Sequence, residues 1–433
     1  MVYLPMHRFY LALFFSIVTF QIHAQQKVGL VLSGGAAKGI AHIGVLKALE
    51  ENDIPIDYIV GTSMGGIIGG CYAAGMSPEQ IEAMILSDDF LRWVNGQPEP
   101  GQTPHYFAHD ENPGFIKLNF NLDSTFSAKI NSSLANDVSL NYALAEKMAQ
   151  AEAIANRNFD SLFVPFRAMA SEVFTQNQVV LSNGSLSSAL RATQTVPFFY
   201  SPIRINNQYL FDGGVYNNFP VDVMQKTFQP DVIIGCNVSS KVFDEYPYKS
   251  DDALLNTSML YMFLDKSDPD QIPSNSVYIQ PDLKGYTAID FTKARALIDS
   301  GYHQAIRQID EIKLKVTTRQ SKTEIKELRE SFLSKSTPIT VDEIKLHRFN
   351  SKQQVFLNRF FDSKKLSREP LNQADLKKKY YKLVSEEYFN NIYPTLSFNQ
   401  QKRKYTLELT RRQQKNFTLD FGGVVATRDI SNI

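Results

Sequence analysis

The hydrophobic pattern of the chain changes period several times, and each change marks a boundary. Residues 27–33 form a short apolar run and predict a buried strand. After a glycine-rich stretch, Ile40, Ile43, Leu46 and Leu49 recur at helical spacing and predict a helix over 40–50. Residues 56–60 predict a second strand, 61–65 a tight turn and 66–75 a second helix. Strand, turn and helix, twice over, predict an α/β fold: a parallel sheet with helices on both faces. Residues 164–171, 178–181, 209–212 and 231–235 read as further strands, and 187–193 as a helix. Residues 88–128 break the pattern. They are rich in Pro, Gly, Asn and aromatics, and predict a long irregular loop acting as a lid or binding loop.

A different texture follows. Residues 311–335 are charged and helix-favouring. Beyond them come a strand (339–344), two amphipathic helices (351–361 and 372–389) and two strands (392–398 and 404–410). In the last, Tyr405, Leu407 and Leu409 alternate with polar residues. The order β-α-α-β-β predicts a small α+β domain over 337–411, joined by a helical linker over 311–336. In the remainder, 412–433, Phe417, Leu419 and Phe421 alternate with polar residues, giving one amphipathic strand with no partner in view.

Residues 1–24 are expected to lie outside the fold. Arg8 precedes an apolar run over 9–20, and a polar stretch ends at Ala24, the pattern of a cleaved signal peptide. The run is shorter than the roughly 20 residues a spanning helix needs. Cys71 and Cys236 could join in an exported chain, but each sits in an apolar stretch and reads as a small buried hydrophobe. No zinc-spaced ligand set is present, so no metal is expected. The net charge of zero hides a split. Residues 25–310 carry 19 basic and 31 acidic side chains, −12; residues 311–415 carry 24 and 12, +12. The basic part suits either a solvated helical surface or anionic lipid headgroups. No nucleic-acid partner is expected.

The chemistry concentrates at three places. Gly61-Thr62-Ser63-Met64-Gly65 is G-x-S-x-G between a strand and a helix. Glycines two residues either side relieve a sharp turn that exposes the Ser63 hydroxyl at a helix start; the plainer alternative is a capping serine. Gly34, Gly35, Ala36, Lys38 and Gly39 form a small-residue loop able to aim backbone N–H groups at an anion. Dinucleotide binding would need an acid at the end of the second strand, which runs instead from Val60 into Gly61; Asp53 lies before it. An oxyanion hole fits better. A serine needs a base. His42 sits among apolar residues, His105 and His109 in the irregular stretch, His303 and His347 late in the chain, and none carries a motif. Asp212 ends an apolar strand before Gly213-Gly214; it reads either as a base or as a turn-capping Asp-Gly.

Together these motifs resemble the patatin-like phospholipase family over about residues 27–305. The resemblance matches G-G-G-x-[KR]-G at Gly34 to Gly39, G-x-S-x-G with its flanking Gly61 and Gly65, and D-G-G at Asp212, Gly213 and Gly214. It departs at Ala36, where the family has a third glycine. It implies a Ser63–Asp212 dyad without histidine in a hydrolase domain over 25–310, acting on phospholipid or other lipid esters at a membrane surface, with no cofactor. Phe198, Phe199, Tyr200, Ile67 and Ile68 are candidates for an acyl pocket, or for core. Residues 338–410 resemble a polypeptide-transport-associated (POTRA) domain, as in the outer-membrane branch of the family. That resemblance implies export through the inner membrane and an outer-membrane, periplasmic or cell-surface location. The tail then resembles the start of a barrel. Since a barrel needs at least about eight strands, the chain is expected to be a fragment of a longer protein. A homodimer is compatible. The competing functions are an export or assembly module that binds strands by β-augmentation, and acyl transfer.

Overall fold

The computed structural model describes residues 25–97, 114–120, 136–197, 199–239, 271–385, 389, 392–412 and 417–422. The signal-peptide segment, His105, His109 and Phe198 lie outside the described residues.

The first domain is an α/β unit. In chain order it holds β1 (Val28–Leu32), α1 (Ala41–Glu51), β2 (Tyr58–Thr62), α2 (Met64–Ala73), α3 (Pro78–Ile85), α4 (Asp88–Val94), β3 (Gly114–Phe120) and α5 (Val138–Ile154). It continues with β4 (Phe166–Glu172), β5 (Asn177–Leu181), α6 (Leu186–Thr193), β6 (Ile203–Ile205), β7 (Gln208–Asp212), α7 (Val221–Thr227), β8 (Val232–Cys236), β9 (Val277–Ile279) and α8 (Ala294–Arg307). Strand order is β6-β7-β4-β2-β1-β8-β9, with β5 also paired to β4. Every residue of β1 and β8 is buried, as strands covered on both faces must be. The main core lies on the face of α1, α2 and α6; a smaller one, with Val31, Val60, Val221 and Met224, lies under α7.

The expected all-parallel sheet is mixed. The pairs β1–β2, β1–β8, β2–β4 and β8–β9 are parallel, whereas β4–β5, β4–β7 and β6–β7 are antiparallel. Four residues separate β4 from β5, too few for a crossover, so that pair must be a hairpin.

Within 88–128, the described residues 88–97 and 114–120 hold regular elements that their composition does not predict. Ser87 caps α4 by accepting from the Phe90 N–H, and Phe90 and Trp93 are buried three positions apart. Strand β3 then pairs antiparallel with β14 (Phe417–Gly422), whose register sets Phe417 against Phe120, Leu419 against Leu118 and Phe421 against Ile116. The tail strand expected to lack a partner therefore has one. Residues 116–120 carry the same alternation, Ile-Lys-Leu-Asn-Phe, inside a stretch whose composition masked it.

Two helices, α9 (Ile309–Lys315) and α10 (Lys322–Leu333), follow. Ile312, Val316 and Phe332 belong to the main core, and Arg329 pairs with buried Glu50 at 2.5 Å. The segment is packed against the α/β unit rather than spanning open solvent. The C-terminal unit comprises β10 (Thr340–His347), α11 (Ser351–Phe360), β11 (Leu371–Asn372), α12 (Gln373–Val384), β12 (Ile392–Asn399) and β13 (Lys404–Arg411). Its sheet has the order β11-β10-β13-β12, with β10 and β13 parallel. The unit has its own core, and α5 contributes Val138, Tyr142, Ala149 and Ala153 to it.

Candidate active site

Strand β4 acts as a ruler. On one side it sets Thr62 opposite Met169, and on the other it sets Ala170 opposite Asp212. Ser63, one residue past Thr62, is thereby brought level with Asp212 despite a separation of 149 positions. The Ser63 hydroxyl donates to Asp212 Oδ2 at 2.6 Å, and the Gly214 N–H donates to Asp212 Oδ1 at 2.8 Å. Because β7 runs antiparallel to β4, it is register, not the shared carboxyl edge of parallel strands, that delivers the aspartate.

Ser63 sits at φ 53°, ψ −125°, a region that costs an ordinary side chain about 1–3 kcal/mol and persists only where the surroundings enforce it. Here they do. A Cβ on Gly61 would lie 2.6 Å from the Gly65 carbonyl oxygen, and one on Gly65 would lie 2.5 Å from that of Leu32. The turn thus closes only with glycine at both places. The Ser63 N–H is taken by Thr193 Oγ1 at 2.9 Å, and the Thr62 hydroxyl holds the Asn217 carbonyl at 2.9 Å. The Asp212 N–H donates to the Thr195 carbonyl at 2.8 Å. Nothing in a single sequence marked Thr193 or Thr195.

Asp212 is 1 % exposed. Burial pushes its carboxyl up to about 7, against the opposing pull of the Ser63 hydroxyl and the Gly214 amide. A carboxyl near neutrality is matched to taking and returning a hydroxyl proton.

The glycine-rich loop divides in two. The Gly34 N–H donates to the Asn218 carbonyl at 3.1 Å, and the Gly34 carbonyl accepts from Ser239 Oγ at 2.7 Å. The Lys38 N–H donates to Gly35 at 3.0 Å, and that of Ala37 to Ala288 at 3.0 Å. The amides of Gly34 and Lys38, expected to line the oxyanion hole, therefore hold the loop in place instead. Gly39 packs directly on Met64. Among the described residues the N–H groups of Gly35 and Ala36 carry no such commitment. Ala36 stands at φ 48°, a conformation favouring glycine.

The described histidines do not reach Ser63. His42 is fully buried; burial lowers it to about 4, and its ring lies between Cys236 Sγ at 3.2 Å and the Ser33 carbonyl at 2.9 Å. His303 bonds the Asp299 carbonyl, and His347 lies beside Glu408. Cys71 and Cys236 are separate buried thiols.

A cavity of about 120 Å³ opens at Ser63. One face of α2 (Met64, Ile67, Cys71) forms its floor, and Leu140, Met148 and Tyr200 stand on other walls. Ile67, Phe199 and Tyr200 line it as expected of a pocket, whereas Ile68 is core.

The arrangement is that of an α/β enzyme with a serine on a strained strand-to-helix turn and a buried carboxylate against its hydroxyl. Residues 30–224 match the family model described as patatin-like phospholipase. It is 25 % identical over 304 residues to the patatin-like phospholipase domain-containing protein ZK370.4 of Caenorhabditis elegans, covering 63 % of this chain and 20 % of that one. Patatin-like phospholipase domain-containing protein 7 of Mus musculus is 27 % identical over 217 residues, 49 % of this chain and 14 % of its own. Lysophospholipase NTE1 of Kluyveromyces lactis is 24 % identical over 322 residues, 66 % of this chain and 20 % of its own. The chain thus spans a fifth or less of the relatives it matches. The crystal structure of VipD from Legionella pneumophila overlaps at TM-score 0.33 and 14 % identity, covering 84 % of this chain and 86 % of that one, too loosely to bear on the site.

Proposed function

We propose that the chain is a serine lipid acyl hydrolase of phospholipase A or lysophospholipase type, working through a Ser63–Asp212 dyad. The 2.6 Å hydrogen bond between the two side chains, at the head of an apolar cavity, carries the proposal. The match of residues 30–224 to the patatin-like phospholipase model supports it.

In the first half-reaction Ser63 Oγ attacks the ester carbonyl carbon while its proton passes to Asp212. The carbonyl oxygen gains charge beside the N–H groups of Gly35 and Ala36, uncommitted among the described residues, and the start of α2. The intermediate collapses, and the departing alcohol or lysolipid takes the proton from Asp212. In the second half-reaction water attacks the acyl-enzyme, gives a proton to Asp212, and the fatty acid leaves as Ser63 recovers it. The cavity holds the acyl chain, and the lipid is drawn from a membrane surface. The C-terminal unit, two helices with a sheet of order β11-β10-β13-β12, supports a POTRA-like module; an exported, outer-membrane-associated location goes with that reading, and fractionation of cells expressing the protein would check it.

The deciding assay is phospholipid hydrolysis by purified protein beside Ser63→Ala and Asp212→Asn. Both variants are expected to fall to background while remaining folded, and chelator to leave wild type unaffected. An Asp212→Asn enzyme with wild-type turnover would remove the dyad. Products analysed with a competing alcohol separate hydrolysis from acyl transfer.

A further inference from the structure

We propose that Arg412, at the end of the C-terminal unit's sheet, is a positioning residue for hydrolysis, acting through Asp137 and Arg191 on Asp212 and on the cavity wall. The proposal rests on the hydrolase function above.

The connection is a continuous chain of hydrogen bonds, buried from Asp137 inward. Arg412 follows β13 directly and grips Asp137 with two nitrogens, Nη1 on Oδ1 at 3.1 Å and Nη2 on Oδ2 at 2.6 Å. Asp137 Oδ2 also accepts from Arg191 Nη2 at 2.5 Å. Arg191, on α6, is completely buried. Its remaining donors reach Asn141 Oδ1 at 2.9 Å, Thr195 Oγ1 at 2.6 Å and the Ser201 carbonyl at 3.2 Å, and its guanidinium lies 4.7 Å over the Tyr200 ring. Thr195 supplies the carbonyl that holds the Asp212 backbone N–H at 2.8 Å, and Tyr200 lines the cavity. One guanidinium therefore fixes both the strand end that carries the base and a wall of the acyl site. What orients that guanidinium is a carboxylate held from the other domain.

The charge count separates positioning from mere stability. Asp137 and Arg191 already make a neutral buried pair, and Arg412 is a second cation on the same carboxylate. Removing Arg412 leaves no unpaired charge inside the α/β unit, so the fold tolerates it better than loss of either other member. It does leave Asp137 free to turn. Helix α5 offers a parallel path: Leu140, Ala143, Leu144 and Met148 line the cavity, while Val138, Tyr142, Ala149 and Ala153 on another face pack into the C-terminal core.

The test uses the full chain and a fluorogenic ester, comparing wild type with Arg412→Met, Arg412→Lys and Gln400→Ala. Gln400 makes a different interdomain bond, to the Ala153 carbonyl, and serves as control. Arg412→Met is expected to lower kcat about tenfold or more, the scale of a sub-ångström misplacement, with KM within about twofold and little change in Tm. Arg412→Lys is expected to recover part of the loss, since an ammonium restores charge but not the two-pronged grip. Gln400→Ala is expected to match wild type. Wild-type kcat in Arg412→Met, or equal losses in Arg412→Met and Gln400→Ala, overturns the positioning role alone. If Arg412→Met does not fold, the lysine variant decides: lower kcat at unchanged Tm supports the role, and wild-type kcat removes it. A wild type inactive on every ester overturns both this role and the hydrolase function.

Discussion

Asp212 carries the main conflict in the site between stability and chemistry. Unfolded, its carboxyl ionises near 3.8; folded, burial pushes it to about 7. The folded state therefore binds the proton more tightly. That stabilisation is complete below the unfolded value and is lost as pH rises through about 7. Under the proposed dyad, activity runs the other way, because a base works ionised. We expect kcat/KM to climb with pH through a limb near 7, measured as a pH–rate profile; a limb near 4 would show that the base is not held in its buried state. Asp212→Asn keeps the shape without the charge, so at pH 9 it should be dead yet more stable than wild type, by on the order of 2–4 kcal/mol in chemical denaturation. Ala36 shows the same kind of compromise. Its φ of 48° costs roughly 1–2 kcal/mol for a side chain, and glycine there would return all but about 0.5–1 kcal/mol of unfolded-state entropy. Ala36→Gly should raise Tm by about 2 °C with activity retained, and a lower Tm in scanning calorimetry would contradict this.

Among the elements, the packing of α1 on α8 is the least forgiving contact. A Cβ on Gly301 would fall 1.9 Å from the Ala41 carbonyl oxygen, and one on Gly44 would fall 2.0 Å from that of Ile298. Backbone on the far side cannot move aside as a side chain would, so the helices must separate. Gly301→Ala should cost about 3 kcal/mol, a fall in Tm of about 6 °C or more. A variant melting with wild type would mean that the helices are not held so close. Elements with a clean period were legible from the chain: β1, α1, α2, β8, and the alternation in β13. The stretch over 88–128 was not. Its Ser87-Asp88-Asp89 start signal and its short alternating run at 116–120 were diluted by Pro, Gly and Asn around them. Pairing of β3 with β14 joins segments about 300 positions apart, and no local pattern encodes such a partner.

Over the whole molecule, α5 is held in common. It walls the cavity from one side and fills the C-terminal core from another. Tyr142 stacks on Tyr380 with ring centroids 4.8 Å apart. A chain ending at Ser336 would strip Tyr142 and its neighbours of cover and expose a contiguous apolar face. We expect it to elute aggregated in size-exclusion chromatography, and a monodisperse, folded product would show that the α/β unit stands alone.

The sequence by itself determined the identity of the chemistry. A serine between two glycines on a strand-to-helix turn, a small-residue loop and an Asp-Gly-Gly are local devices, and local backbone sterics admit few other residues there. It also marked a change of texture after about residue 310, because hydrophobic period and charge both change there. Only the tertiary structure decided the rest. Bringing Asp212 level with Ser63 depended on the register of β4 against β2 and β7. The amides of Gly35 and Ala36, uncommitted among the described residues, emerged from the way the rest of the loop bonds to Asn218, Ser239 and Ala288, all distant in sequence. The Arg412–Asp137–Arg191 chain joins three segments with no shared motif. Each of these is a long-range pairing. Its free energy comes from burial and from desolvated charge, quantities a residue acquires only from its neighbours in space.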